Sequence, residues 1–83
     1  MQGKNMQLDI ISPEKKVYSG QIKSIQLPGI KGSFGMLNNH APLISSLKKG
    51  SIKVTTMDNL SENFTINGGI VEMLGNKVTV LAE

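Results

Sequence analysis

The sequence predicts an all-β domain of two stacked, mainly antiparallel sheets with no substantial helix, on three observations. Polarity alternates with a period of two at Met6, Leu8 and Ile10, at Ile52, Val54 and Thr56, at Phe64 and Ile66, and at Val78 and Val80, the pattern of half-buried antiparallel strands. Turn chemistry recurs at short spacing, at Ser12-Pro13, Ser19-Gly20, Pro28-Gly29, Lys49-Gly50, Asp58-Asn59, Gly68-Gly69 and Gly75-Asn76, as expected of a sandwich or barrel. No window of helical length carries an apolar face at 3.6-residue spacing without a Gly or Pro inside it.

In chain order, residues 1–5 are expected to form a poorly ordered extension, and residues 6–83 a single domain. The first strand is carried by Met6, Leu8 and Ile10 and stops at Ser12-Pro13. A strand from Gly20 to Leu27 follows, but Ile22 has the opposite parity to Ile25 and Leu27, which predicts a bulge near Lys23 and Ser24. The stretch "PGIKGSFGMLNNHAPL" then holds two prolines, three glycines and the chain's one histidine. Pro28 fixes its own φ and drives Leu27 extended, and Ala41 before Pro42 is driven extended as well. Two shaped turns flanking a short strand at Phe34 to Leu37 are therefore expected, with Ile30 near one tip. Beyond it, Ile52 and Val54, Phe64 and Ile66, and Val78 and Val80 supply strand faces, and with Leu8 and Ile10 they form the predicted core. Ile70 to Leu74 carries apolar residues on both parities, which suits a central strand covered on both sides or one facing a partner.

Composition narrows the function. A chain of 83 residues buries only about 60% of the surface its unfolded form exposes, so its core is modest. It has no cysteine, hence no disulfide, thiolate metal site or cysteine nucleophile. Its apolar runs fall far short of the roughly 20 residues that span a bilayer. The start "MQGKNMQLDI" lacks the features of a signal or transit peptide. Formal charge is +3 with a pI near 9.4, but the lysines are scattered and no arginine offers a bidentate fork. Tyr18, Phe34 and Phe64 are too separated for an evident base-stacking platform, so no nucleic-acid partner is expected.

Catalysis needs convergent groups, and few are available. His40 is the single imidazole, and the carboxylates Asp9, Glu14, Asp58, Glu62, Glu72 and Glu83 are dispersed in sequence. One histidine without cysteine is a poor zinc set. "KGSFG" is not a nucleophile elbow, since no helix follows it. Gly29, Gly32 and Gly35 fit neither phosphate-binding glycine pattern. No catalytic, cofactor-binding or metal-binding residue is assigned, and no cofactor is expected. The shaped loop reads as a docking surface.

The stretches "LDIISPEKKVYSGQIKSIQLPGIKGSFGMLNNHAPLISSLKKGSIKV" and "INGGIVEMLGNKVTVLA" resemble the N-terminal domain of the ATP synthase epsilon subunit. The motifs, an L-D-[IV]-[IV]-[ST]-P-E opening, a [YF]-S-G turn, a P-G-x-x-G-x-[FL]-G loop, H-A-P-L, a G-G and a closing V-T-V-L-A, occur in order from about Met6 to the end. The resemblance implies a β-sandwich without an active site, a central-stalk subunit of a bacterial F-type enzyme. It implies partners in the gamma subunit and the c-ring, with proton-driven rotation coupled to ATP synthesis. It places the protein peripherally on the cytoplasmic face of the inner membrane, associated with that membrane only through the complex. Carried over by position, Pro28, Gly29, Ile30, Lys31, Gly32, Ser33 and Gly35 would face the c-ring, and Ser12, His40, Ala41, Pro42 and Leu43 would face gamma. Typical members continue into a two-helix C-terminal segment, whereas this chain stops after Glu83, so a short form or a shortened chain is expected. Asn38-Asn39 replaces a common Pro-Gly, and Ser33 a common acidic residue. An OB-type nucleic-acid binder and a lipoyl or biotinyl carrier are the alternatives, although no lysine here sits in a carrier motif.

Overall fold

A computed structural model describes residues 6–36 and 42–83. The described residues form eight strands: β1 (Met6–Ile11), β2 (Lys16–Gly29), β3 (Gly32–Met36), β4 (Leu43–Leu47), β5 (Gly50–Thr56), β6 (Ser61–Ile66), β7 (Gly69–Leu74) and β8 (Lys77–Ala82). Hydrogen bonding runs in the order β1-β8-β7-β4-β2-β5-β6, with β3 also on β2 and β1 closing back onto β2. The sandwich thus has a β1-β8-β7-β4 layer and a β3-β2-β5-β6 layer, joined through β2. Every pairing is antiparallel except that of β1 with β8. Among the described residues no helix is long and apolar enough to cross a membrane.

The 14-residue β2 answers the parity conflict in the sequence. Its partners on β5 shift register between Ile22 and Ser24, leaving Lys23 as the extra residue of a bulge. Ile22, Ile25 and Leu27 are thereby all buried. Inward-facing residues from β1, β2, β4, β5, β6, β7 and β8 form a single apolar cluster, in which each fully buried aliphatic side chain contributes about 1.5–3 kcal/mol.

Seven of the predicted core residues, Leu8, Ile10, Ile52, Val54, Ile66, Val78 and Val80, are buried. Phe64 departs from the expectation. It is half-buried and packs at the margin of the cluster, its ring tilted against Tyr18 with centroids 5.3 Å apart. Among the described residues β6 pairs only with β5, so a large side chain there has no described neighbour on one flank. On β7 the two parities separate: Val71 and Met73 are buried while Ile70 and Leu74 are exposed. The covered-on-both-sides alternative is therefore excluded.

Two glycines are required by geometry. Gly69 has φ of 148°, and a Cβ built on it would run into the Leu81 carbonyl oxygen. At Gly29 a Cβ would lie 2.7 Å from both the Gly32 carbonyl oxygen and Phe34 Cε1, so only glycine lets the Phe34 ring close over the hairpin.

Urea unfolding should rank the core. Ile10→Ala is expected to cost about 2–5 kcal/mol as a buried truncation, and Phe64→Ala less, about 2–3 kcal/mol, since that ring is partly exposed and packs at the margin of the cluster. Gly69→Ala should exceed about 3 kcal/mol, because an unfavourable φ and a backbone clash act together. A Phe64→Ala cost above that of Ile10→Ala would contradict the burial ranking.

Candidate docking surface

The β2–β3 hairpin carries the first candidate region. Gly29 pairs with Gly32, leaving Ile30 and Lys31 as the two residues of the tip, and Gly32 adopts a φ of 129°. Pro28 and Gly29 are buried, whereas Ile30, Lys31, Gly32, Ser33 and Gly35 are exposed. The predicted loop residues therefore divide by role. Pro28 and Gly29 are supports, with Pro28 so close to Gly50 that a Cβ there would lie 2.9 Å from the proline Cβ. The others are available for contact. The tip is pinned to the neighbouring strand by Ile30 N–H donating to the Ser46 carbonyl at 3.3 Å and Lys48 N–H donating to the Pro28 carbonyl at 2.9 Å.

The second candidate set is spread out. Ser12 is half-buried in the β1–β2 turn, its hydroxyl donating to the Lys15 carbonyl at 3.1 Å and accepting from the Lys15 N–H at 3.3 Å. Pro42 is exposed and Leu43 half-buried, the latter packing on the core from β4. β8 and β7 lie between the strands of Ser12 and Leu43, so the two are not brought together. His40 and Ala41, with Asn38 and Asn39, lie outside the described residues.

Between them the structure reveals a feature that motif reading missed. On the outer face of the β1-β8-β7-β4 layer, Ile11 pairs with Leu81, and Leu81 with Ile70. Ile44 pairs with Glu72, the next outward position on β7. Ile44, Ile70 and Leu81 are 71%, 46% and 52% exposed. They form an apolar row across three adjacent strands, with half-buried Ile11 continuing it onto β1. The sequence signal was the doubled parity of Ile70 to Leu74. The rest of the row could be found only once register was known.

Beside the row a polar pin holds three strands together. The Asp9 carboxylate, buried on β1, accepts from the Ser19 hydroxyl of β2 at 2.7 Å and from Gln7 Nε2 at 3.4 Å, and pairs with Lys77 Nζ of β8 at 3.5 Å. The Ser19 hydrogen bond is the chief reason that Asp9 ionises below its ordinary value of 3.8; burial opposes it, while Gln7, Lys77 and Lys16 assist. This ion pair is structural in its geometry, since each partner belongs to the sheet. No group of three or more His, Cys, Asp or Glu among the described residues is placed to hold a metal. A broad open depression of about 710 Å³ on the other layer is lined by uncharged groups and Lys53. It offers no paired acid and base.

The family description "ATP synthase, Delta/Epsilon chain, beta-sandwich domain" matches residues 5–83. The chain belongs to that family. It is similar to the ATP synthase epsilon chain of Chlorobium limicola, 39% identical over 80 residues covering 96% of this chain and 91% of that one. The Chlorobaculum tepidum epsilon chain is 42% identical over 76 residues, with 92% and 86% covered. The Bordetella petrii epsilon chain is 40% identical over 78 residues, and there the match spans 94% of this chain but 55% of the relative. Among solved structures, a chain of the Euglena gracilis mitochondrial ATP synthase, described as OSCP/F1/c-ring, aligns with a TM-score of 0.90 at 16% identity, covering 95% of this chain and 51% of that chain. A chain of the Tetrahymena thermophila central stalk/c-ring aligns with a TM-score of 0.74 at 19% identity, covering 99% and 66%. At such identities the likeness is one of fold.

The Asp9 pin has a pH signature. With the folded pKa below the unfolded one, the unfolded chain takes up the proton first as pH falls, so this stabilisation is full above the ordinary value of 3.8 and is lost as pH drops through the lower folded value. Asp9→Asn should cost about 1 kcal/mol at neutral pH and flatten the acid limb of stability against pH. Equal acid limbs in the two proteins would remove Asp9 as their cause.

Proposed function

We propose that this protein is a non-catalytic rotor subunit in the central stalk of a bacterial F-type ATP synthase, docking on gamma and on the c-ring so that proton-driven rotation reaches the catalytic head. The observation that carries the reading is the exposed apolar row of Ile44, Ile70 and Leu81 in a chain whose relatives are epsilon chains. A row of aliphatic residues on the outer face of a sheet is the feature expected of a surface that a protein partner covers. Gamma is the partner assigned to it, and Ser12, His40, Ala41, Pro42 and Leu43 keep the gamma contact that the family resemblance implies. The hairpin tip from Pro28 to Gly35 is assigned to the c-ring, with Ile30, Lys31 and Ser33 as contacts. The protein then sits peripherally on the cytoplasmic face of the inner membrane, held there through the complex, with residues 6–83 as its folded unit.

The test is co-purification from detergent-solubilised membranes. Gamma and ring subunits should accompany the wild-type chain. Ile70→Lys with Leu81→Glu, an opposite-charge pair across β7 and β8, should weaken gamma association at least about tenfold, since hot-spot losses of this kind exceed 1 kcal/mol, while changing the stability of the isolated chain by about 1 kcal/mol or less. Retention of gamma by that variant would remove the row from the interface; absence of both subunits from the wild-type preparation would end the rotor reading.

A further inference from the structure

The link between β6 and β7 consists of Asn67 and Gly68 alone, and it carries the chain from one layer of the sandwich to the other. Its backbone is held closely. Ile66 before it is buried in the core, the Gly68 carbonyl accepts from the Glu83 N–H at 3.0 Å, and Gly68 and Gly69 take φ of 141° and 148°. Its side chain is not held. Asn67 is exposed, and among the described residues neither its side-chain amide nor the Gly68 N–H has a hydrogen-bond partner. A free carboxamide is thus followed by an uncommitted backbone nitrogen, with no Cβ at residue 68 to stand between them. In the whole sequence no other asparagine precedes a glycine. Asn59 precedes Leu60, and its side-chain oxygen is occupied by Lys23 Nζ at 2.7 Å, while Asn63 and Asn76 precede Phe64 and Lys77.

We propose that Asn67 is a site of spontaneous modification, at which the Gly68 nitrogen attacks the side-chain amide and converts the residue to isoaspartate in the folded protein. The Gly68 nitrogen gives its proton to hydroxide and bonds to Asn67 Cγ; the Cγ–Nδ2 bond breaks, and ammonia leaves with a proton taken from water. Nothing is oxidised or reduced. Water then opens the cyclic imide, and cleavage between the nitrogen and the Asn67 backbone carbonyl carbon leaves the chain running through Cγ, with the former backbone carbonyl as a free carboxylate. The main chain is one methylene longer. A link pinned at both ends absorbs that added atom only by giving up the Glu83 bond or by drawing Ile66 out of the core. The new carboxylate also forms next to Gly68, against which the Glu83 carboxylate already lies, with Oε1 3.3 Å from where a Cβ would stand. Like charges so placed repel. The connection that undergoes the change is therefore one that tolerates it badly.

The experiment ages the intact chain at neutral and at mildly alkaline pH, then maps its peptides by mass spectrometry and labels isoaspartate with an isoaspartyl-specific carboxyl methyltransferase. A gain of about 1 Da, the exchange of an amide for an acid, should appear in the peptide holding Asn67, with the methyl label in the same peptide. Its rate should rise several-fold or more into the alkaline range, since the attacking nitrogen must lose its proton. Asn67→Gln, which would have to close a larger ring, should slow the conversion at least about tenfold. The same chain kept unfolded in urea sets the reference rate, and folded-state conversion within about tenfold of it supports the proposal. Conversion slower than that, or spread equally over Asn59, Asn63 and Asn76, would overturn it. Aged protein separated on its extra negative charge should have an unfolding constant raised at least about tenfold over fresh protein. An equal urea midpoint for the two would overturn the weakness assigned to the link.

Discussion

Everything in this fold depends on one strand serving two layers. β2 pairs with β1 through its first half and with β3 and β5 through its second, and the bulge at Lys23 keeps Ile22, Ile25 and Leu27 facing one core despite their opposed parity. Without that extra residue, either Ile22 or the other two would turn outward. In a domain this small, with about 5–15 kcal/mol of net stability to lose, so large an exposure would be decisive. The hairpin tip is the far end of this same strand, so the core that β2 completes is also what holds the tip in place.

The molecule separates support from contact. Pro28, Gly29 and Phe34 pack against one another, Gly50 and the core, and by doing so fix the backbone from which Ile30 and Lys31 project. On the opposite layer the outward residues of β4, β7 and β8 offer aliphatic surface, with the Asp9 pin tying β1, β2 and β8 beneath its edge. The two surfaces meet at Ile44, which lies both in the apolar row and in a groove under the tip. A partner covering the row and a partner seated at the tip would therefore approach each other across a single side chain.

The fold was largely legible in the sequence because strand periodicity is local. Parity named Leu8, Ile10, Ile52, Val54, Ile66, Val78 and Val80 as core, and the same logic placed a bulge near Lys23 and Ser24, which the register narrows to Lys23. Phe64 was misjudged because parity reports which way a side chain points but not whether a strand has neighbours on both flanks, and among the described strands β6 has β5 alone. The row was half visible, in the doubled parity at Ile70 to Leu74. Ile44 and Leu81 joined it only through cross-strand register, a property of pairs distant in sequence. The Asp9 pin was invisible for the same reason, since Ser19 and Lys77 reach it from two other strands.

The parallel pairing of β1 with β8 bears on how the chain is made. Leu8 and Ile10 lie beside Val78 and Val80, so the first described strand to leave the ribosome must wait for the last before its second flank is occupied. Until then β1 has β2 for company and one open edge, the kind of edge that invites pairing with a foreign strand. A fold so dominated by distant pairings assembles slowly, and during translation its opening strand is the segment most in need of shelter.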